Sequence, residues 1–569
     1  MSIFNYNPDD VLGTVESVDT SAVIIRVEND DRLRDLQVNH LVAVRSTKTN
    51  QHLIGLVSKI VRKAALTDLE TSIDAYQSFN ILKVILIGTH IDKVADKDNV
   101  FRRTLSTVPT INAECFLIIG ERLKLFMQAI SSIPDGEDAV SLEIGHYSID
   151  EEAIAWLNGN KLFQRHSVIV GSTGSGKSWC VARILEQVAS LKSADAILFD
   201  IHGEYEPLKG DNFVHYKVAG PTDVQSDGIL FLPYWLLTYE EMISLMLDRS
   251  DTNAPNQAMV FSNEVLEGKR KFLSDIGKDD SSANITLDSP IPYDLNYLLS
   301  NLIFKDTLET QPGANNKDKQ GPHIGRLTRF IQRLQSKQSD KRLNFMFSQD
   351  DSLLKYEYML DLCSKIMQPA INKNGGVKII DFSEVPSDIL PLIVSLMARL
   401  IFSVQQWSAV EKRHPIAIFC DEAHLYIPAN TDNSIDGASL VNFERISKEG
   451  RKYGIGLVVI SQRPSEVNRT VLSQSNNFIA MRLTNIDDQA VVKRLLPDSL
   501  GDYAEMLPIL DIGEALVVGD ASLLPSRIKV TQPTLKPRSA TVDFWDEWAK
   551  DSVDVDIEAA IEALRKQTK

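Results

Sequence analysis

The sequence predicts an α/β protein, in which a parallel sheet covered by helices follows a small β-barrel and is interrupted by a helical insertion. Three observations carry this reading. Between Val11 and about Ile119, short β-branched segments are separated by polar turns. From about Leu162 onward, continuously apolar runs alternate with long helical patterns. Between Tyr239 and about Leu343 the strand pattern is lost, and helices joined by polar loops take its place.

The first region contains GTVESVDTSAVIIRVEND, LVAVRSTKT, HLIGLVSKIV and FNILKVILIGTHI. Several short strands at such spacing close into a small barrel or sandwich. No chemical motif falls among them, so residues 1–145 are expected to form a scaffold or docking module. The second region contains HSVIVG followed by a helix to Leu191, then AILFDI, GVKIIDFS, HPIAIFCDEAH and GIGLVVISQRP. A strand covered on both faces loses its polar alternation, so these runs predict a parallel sheet between helical layers. They assign residues 146–238 and 344–537 to one α/β core. Residues 239–343 form the helical insertion, in which NNKDKQGPH at 315–323 reads as a mobile loop. Residues 538–569 form a C-terminal tail ending in the helical pattern DVDIEAAIEALRKQTK.

A chain of 569 residues exceeds what one ordinary core organises, in keeping with several domains. Its net charge of −17 argues against nucleic-acid binding through bulk electrostatics, and any such partner requires local positive potential, as in a lined pore. Backbone amides bind phosphate without entering that sum. The cysteines Cys115, Cys180, Cys363 and Cys420 lie far apart with no CxxC pair, which predicts reduced thiols and neither a disulfide framework nor a zinc site. The start, MSIFNYNPDD, has no signal pattern. The most apolar stretch, Ile389 to Val404, carries Pro391 and Arg399, so it reads as a buried helix rather than a membrane span. A soluble, cytoplasmic chain is expected.

The strongest motif is Gly171, Ser172, Thr173, Gly174, Ser175, Gly176, Lys177 and Ser178, which fits GxxxxGK[ST]. It follows an apolar strand and opens a helix. The glycines permit a tight loop whose amides converge on phosphates at the helix N-terminus. Lys177 is expected to neutralise the terminal phosphates and the Ser178 hydroxyl to hold Mg²⁺, with Trp179 completing the ATP-binding segment. The strand Ile416 to Cys420 ends in Asp421-Glu422. Asp421 is then the residue that holds Mg²⁺ through its water shell, and Glu422 the one that polarises the attacking water. Gln462, at the tip of the strand GLVVISQ, reads either as a sensor of the γ-phosphate or as a plain strand-end amide. Asp200, His202 and Glu204 lie at another strand end, where a supporting role near the nucleotide or at a subunit boundary is favoured over metal binding.

These residues resemble the HerA-type ATPases of the HerA/FtsK superfamily. The resemblance runs through the N-terminal barrel, HSVIVGSTGSGKS, FDIHGEY, LPYWLLTYEE, CDEAH, and EGRKYGIGLVVISQRPSEVNRTVLSQSNNFIAMRLTN. It implies a RecA-like P-loop NTPase core, a homohexameric ring with double-stranded DNA in its channel, and a barrel that docks a partner. That partner would be a separate nuclease, as in DNA end processing, or a nuclease or NAD-degrading effector, as in antiviral defence. It also implies an arginine acting across a subunit boundary, for which Arg165, Arg451 and Arg445 are the candidates, each of which alone could be an ordinary surface arginine.

Two segments could face DNA: the polar stretch from Pro428 to Ser439, and a basic run of Lys317, Lys319, Arg326, Arg329, Arg333, Lys337, Lys341 and Arg342. A solvated helix face explains the basic run equally well. The leading expectation is an ATP-driven DNA translocase or helicase. The alternative is a ring scaffold that assembles and activates an effector, with ATP as a regulatory ligand.

Overall fold

The computed structural model describes the chain except residues 1–2, 20–21, 29, 35, 67–75, 93–99, 106, 131–141, 313–317, 349, 432–433, 497, 523, 539–543, 551–554 and 567–569. It divides into two compact units. The first comprises Met1–Gln187, Gln462–Ser465 and Ser475–Thr534, and the second Val188–Ser461, Glu466–Gln474 and Leu535–Lys569.

The first unit opens with seven strands: β1 (Val11–Val18), β2 (Val23–Val27), β3 (Leu41–Arg45), β4 (Gln51–Leu66), β5 (Tyr76–Ile91), β6 (Val100–Arg102) and β7 (Glu114–Ile118). Six of them close in the order β2-β1-β7-β3-β4-β5, with β5 pairing back onto β2 at Val23↔Val84. β6 adds to the end of β5. Closure removes the exposed edges that an open sheet of these strands would carry. The alternate residues Val23, Ile25 and Val27 point inward with Val15, Val42, Val44, Leu53, Val57, Leu82 and Val84 to fill the barrel. Gly13 is demanded where β1 crosses β2, because a Cβ there would lie 2.3 Å from the Arg26 carbonyl oxygen. The barrel predicted from β-branched spacing is therefore present.

After helix α1 (Gly120–Ile130) come the hairpin strands β8 (Leu142–Tyr147) and β9 (Asp150–Leu157), helix α2 (Gly159–Gln164), and β10 (Ser167–Val170). Helix α3 (Lys177–Ala189) follows. The domain boundary expected at residue 145 thus falls inside β8. That strand pairs outside the barrel, with β9 and with a strand near the C-terminus. Arg103 fastens the barrel within this unit, forming an ion pair with Asp520 at 3.3 Å and donating to the carbonyls of Ser522 and Gly519.

The second unit is built on β11 (Ala196–Asp200), β12 (Phe213–Val218), β13 (Ile229–Leu230) and three later strands. Between β13 and the next strand of the sheet lie α4 (Tyr239–Met246), α5 (Ala254–Asp275), the single turn α6 (Asp279–Ser282), α7 (Leu295–Thr307), α8 (Thr328–Ser339), the single turn α9 (Asn344–Phe347) and α10 (Tyr358–Met367). Helices dominate the predicted insertion, with one small hairpin, β14 (Thr310–Pro312) and β15 (Asp318–Gln320), set between α7 and α8. Then follow β16 (Val377–Asp381), α11 (Leu390–Trp407), β17 (Ile416–Cys420), α12 (Ser434–Glu449), β18 (Ile455–Ser461) and α13 (Arg469–Ser473). The six strands pair in parallel in the order β13-β12-β16-β11-β17-β18. All residues of β11, β17 and β18 are buried, as their unbroken apolar runs require.

The chain finally returns to the first unit as β19 (Asn477–Met481), α14 (Ile486–Leu495), β20 (Glu514–Gly519) and β21 (Ser526–Val530). β19 runs parallel to β10, while β20, β21, β8 and β9 continue antiparallel. Two short helices, α15 (Phe544–Trp548) and α16 (Ile557–Lys566), occupy the described part of the tail.

Helix α11 is long and apolar enough to cross a membrane, yet 72% of it is buried in the protein. Its Arg399 is held by a bidentate pair with Glu241 of α4, both bonds at 2.8 Å, and also donates to the Leu236 carbonyl at 2.7 Å. Glu241 in turn caps α4 by accepting from the Thr238 amide, and accepts from Asn442 of α12 at 3.1 Å. Breaking a buried pair by removing one partner strands the other charge, at a cost of about 3–5 kcal/mol. Arg399→Ala is therefore expected to lower the urea midpoint of this unit sharply. A midpoint within error of the parent chain would show that α4 and α11 do not depend on the pair.

Candidate nucleotide-binding site

The glycine-rich loop joins β10 to α3 within the first unit, and each of its features follows from its sequence. Gly174 and Gly176 adopt positive φ, 73° and 97°, which L side chains rarely tolerate. These turns aim successive amides toward the start of α3, whose first N–H groups have no acceptor within the helix. Gly171 is needed for close packing, since a Cβ there would lie 2.4 Å from Ser175 Oγ and 2.9 Å from Met481 Cβ. Ser175 Oγ itself is buried and has no hydrogen-bond partner among the described residues. Lys177 and Ser178 are the first two residues of α3; Lys177 is 6% exposed, whereas Ser178 and Trp179 are half-buried. A cradle of glycine amides at a helix N-terminus, with a buried ammonium and a hydroxyl beside it, fits a polyphosphate and a hard divalent cation.

The loop is held from outside by residues remote in sequence. The Ser172 amide donates to the Arg482 carbonyl at 2.9 Å, and the Thr484 amide to Ser172 Oγ at 3.3 Å. The Gly513 amide donates to the Ser175 carbonyl at 2.9 Å. Thr173 extends its hydroxyl to the carboxamide oxygen of Gln462. The structure thus brings Gln462 to the glycine-rich loop, an association that no local pattern encodes.

Asp421 and Glu422 lie in the second unit, directly after β17 and almost fully buried at 1% and 3% exposure. The Asp421 amide donates to the Phe199 carbonyl of β11, and Tyr426 donates its hydroxyl to the Asp421 carbonyl at 2.8 Å. Glu422 sits at φ 45°, in the left-handed region unusual for a side-chain-bearing residue. This places a short acidic turn at the C-terminal end of a central parallel strand, where chemistry gathers in such sheets. Asp200, at the end of β11, has a different task. Its carboxylate accepts from the amides of Gly203, Glu204 and Tyr205, so it shapes the turn that follows. Burial pushes it up to about 6 against the lowering by those hydrogen bonds, with Asp381 adding to the rise. No group of three or more His, Cys, Asp or Glu able to hold a metal occurs among the described residues.

The three candidate arginines differ in freedom. Arg165 lies 3.9 Å from Asp520, half exposed. Arg445 is tethered to its own subunit: it donates to Gln406 at 3.1 Å, approaches Glu449 at 3.8 Å, and stacks over Phe402 at 4.8 Å. Arg451 is exposed, and among the described residues its side chain forms neither ion pair nor hydrogen bond.

In the basic run, Arg333 pairs with Asp248 at 2.6 Å, Lys337 with Asp388 at 4.0 Å and Arg342 with Asp340 at 2.7 Å. Lys319, Arg326 and Lys341 are exposed, and Lys317 lies outside the described residues. The polar stretch from Pro428 to Ser439 is only partly a loop. α12 begins at Ser434, Ser439 is buried within it, and residues 432–433 lie outside the described residues.

A strand, a glycine-rich cradle and a helix opening on Lys-Ser define the class of the P-loop NTPases. Within that class the match is specific. Residues 142–401 match the family described as DUF87, "Helicase HerA, central domain", so this segment is similar to that domain. The chain is similar to the "DNA double-strand break repair helicase HerA" of Sulfurisphaera tokodaii, with 26% identity over 405 residues covering 70% of this chain and 71% of the relative. The protein of the same description from Saccharolobus solfataricus is 28% identical over 399 residues, covering 68% of each chain. VirB4 of Thermoanaerobacter pseudethanolicus aligns in structure with a TM-score of 0.44 at 17% identity, covering 70% of this chain and 98% of that one.

Proposed function

We propose that the chain is an ATP-driven DNA translocase or helicase that works as a hexameric ring in the cytoplasm, with double-stranded DNA in the ring channel. The observation that carries this reading is the phosphate cradle at the head of α3, in a chain whose residues 142–401 match the HerA central-domain family. Gly171 to Trp179 bind ATP, with Lys177 neutralising the terminal phosphates. Mg²⁺, held by the Ser178 hydroxyl and by Asp421 through its water shell, neutralises charge on the phosphate oxygens. Glu422 polarises the attacking water, and Gln462 reports on the terminal phosphate from its place against Thr173. Of the three arginines, Arg451 is best suited to act in trans, because no ion pair or hydrogen bond among the described residues holds its side chain. Arg165 and Arg445 would first have to exchange partners. With the chain at −17 overall, and with Arg333, Lys337 and Arg342 of the basic run in ion pairs, DNA contact falls to a few local cations such as Lys319, Arg326 and Lys341. The barrel docks a separate nuclease or NAD-degrading effector.

The test is ATP hydrolysis by the purified chain with and without double-stranded DNA, with mass determined in the same buffer. A severalfold stimulation in a hexamer is expected, diminishing as salt rises because phosphate contacts release counterions. Turnover indifferent to DNA would exclude the motor reading and leave ATP as a regulator of assembly.

A further inference from the structure

Glu422 occupies a strained left-handed position, and the turn that produces it also returns a histidine to its side. Ala423–Leu425 form one 3₁₀ turn after Glu422, which carries His424 back over the end of the sheet. There its Nδ1 lies 3.4 Å from Glu422 Oε2 and 3.2 Å from Ser461 Oγ. Ser461 is fully buried and is the last residue of β18, the strand paired in parallel with β17. The imidazole therefore spans the tips of two neighbouring strands, one ending in the carboxylate pair and the other leading directly into Gln462. Its side chain is 16% exposed and that of Glu422 is 4% exposed, so little water competes for the contact.

The 3.4 Å approach of Nδ1 to the Glu422 carboxylate is an ion-pair distance rather than a formed hydrogen bond, and it is attractive in the tautomer that carries the proton on Nδ1. Ser461 Oγ lies within reach of the same N–H and holds the ring plane. With the proton on Nδ1, His424 restricts Glu422 to one carboxylate orientation and joins it to Ser461 at the end of β18.

We propose that His424 is a positioning residue for Glu422, acting through Nδ1 and anchored by Ser461. This rests on Glu422 being the residue that polarises the water for ATP hydrolysis. Misorienting a general base by a fraction of an ångström costs turnover without costing substrate binding, on the order of tenfold here. His424→Ala is thus expected to lower kcat about tenfold while KM for ATP stays within about twofold. Asparagine places an amide N–H near the position of Nδ1, whereas glutamine places one near Nε2. His424→Asn should consequently recover most of kcat and His424→Gln should not. A purely structural histidine would give no such asymmetry between the two amides.

The four proteins, with Glu422→Gln as reference, are compared in one steady-state ATPase assay. Equal kcat in the parent chain and His424→Ala, with turnover still lost in Glu422→Gln, would overturn the positioning role alone. Asparagine and glutamine variants reduced equally would do the same. Absence of turnover in the parent chain would overturn the ATPase reading and this inference with it.

Discussion

Lys177→Ala is expected to abolish ATP turnover, by at least about a hundredfold, while leaving the fold intact. Lys177 is the first residue of α3 and is 6% exposed, so a buried ammonium stands at the positive end of a helix dipole. Burial and dipole both oppose the charge there, and an anion in the cradle relieves both. The lysine is therefore worth most when a polyphosphate is bound and least when it is absent. Alanine is an excellent helix former, and its substitution should change the ligand-free melting temperature little. The thermal shift on adding ATP and Mg²⁺, in contrast, should largely disappear, because stabilisation by a ligand scales with its affinity. Two measurements thus check one idea: an intact ligand-free transition and a lost nucleotide-dependent shift. A variant that still shows the full shift would remove Lys177 from the phosphate site. A variant already unfolded without nucleotide would give the lysine a structural role instead.

The parts of this protein legible in the sequence are those where burial is complete and local. β11, β17 and β18 are apolar at nearly every position because both faces are covered, and their runs stand out without alignment. The glycine-rich loop is legible because its backbone geometry permits only certain residues at Gly171, Gly174 and Gly176. β12, by contrast, was not anticipated: it is half-exposed along nearly its whole length, and its His215 and Lys217 break the apolar run. The hairpin β8–β9 was missed for a related reason, since Glu151 and Glu152 are exposed at its turn end and its partner β21 lies far away in sequence.

Side-chain partnerships were the least legible features. Thr173 and Gln462 are 289 positions apart, and Ser172 and Thr484 are 312 apart. Nothing local to either residue announces its partner. The basic run looked like a DNA-facing stripe because composition shows cations without their counterions. Asp248 and Asp388, which hold Arg333 and Lys337, are set there by the fold, whereas Asp340 pairs with Arg342 from two residues away. Asp200 illustrates the same limit: its strand-end position was evident, but the three amides it caps become visible only once Gly203 turns the chain at φ 72°.

Glu422→Gln separates the motor from the scaffold. Glutamine keeps the size of glutamate, and a neutral amide next to His424 Nδ1 retains a hydrogen-bonding oxygen, so the turn at φ 45° should survive. In the proposed mechanism, what is lost is the negative charge that draws the proton of the attacking water. Removal of a general base typically costs about 10²–10⁴-fold in rate. Nucleotide affinity should be unchanged or higher, because the substitution removes a negative charge and adds none. The variant is expected to bind ATP, assemble as the parent chain does, and hydrolyse at a small residual rate. Its behaviour with an effector then decides between mechanisms. If work on DNA drives the partner, an ATP-filled but static ring should fail to support it. If ATP only assembles a platform, the static ring should activate the effector as well as the parent chain, or better, because the bound state is never discharged. Either outcome is informative only when Lys177→Ala is run beside it. The lysine variant is expected to lack the ATP-bound state and the glutamine variant to accumulate it, so a function needing turnover is lost in both, whereas one needing occupancy is lost in the first alone.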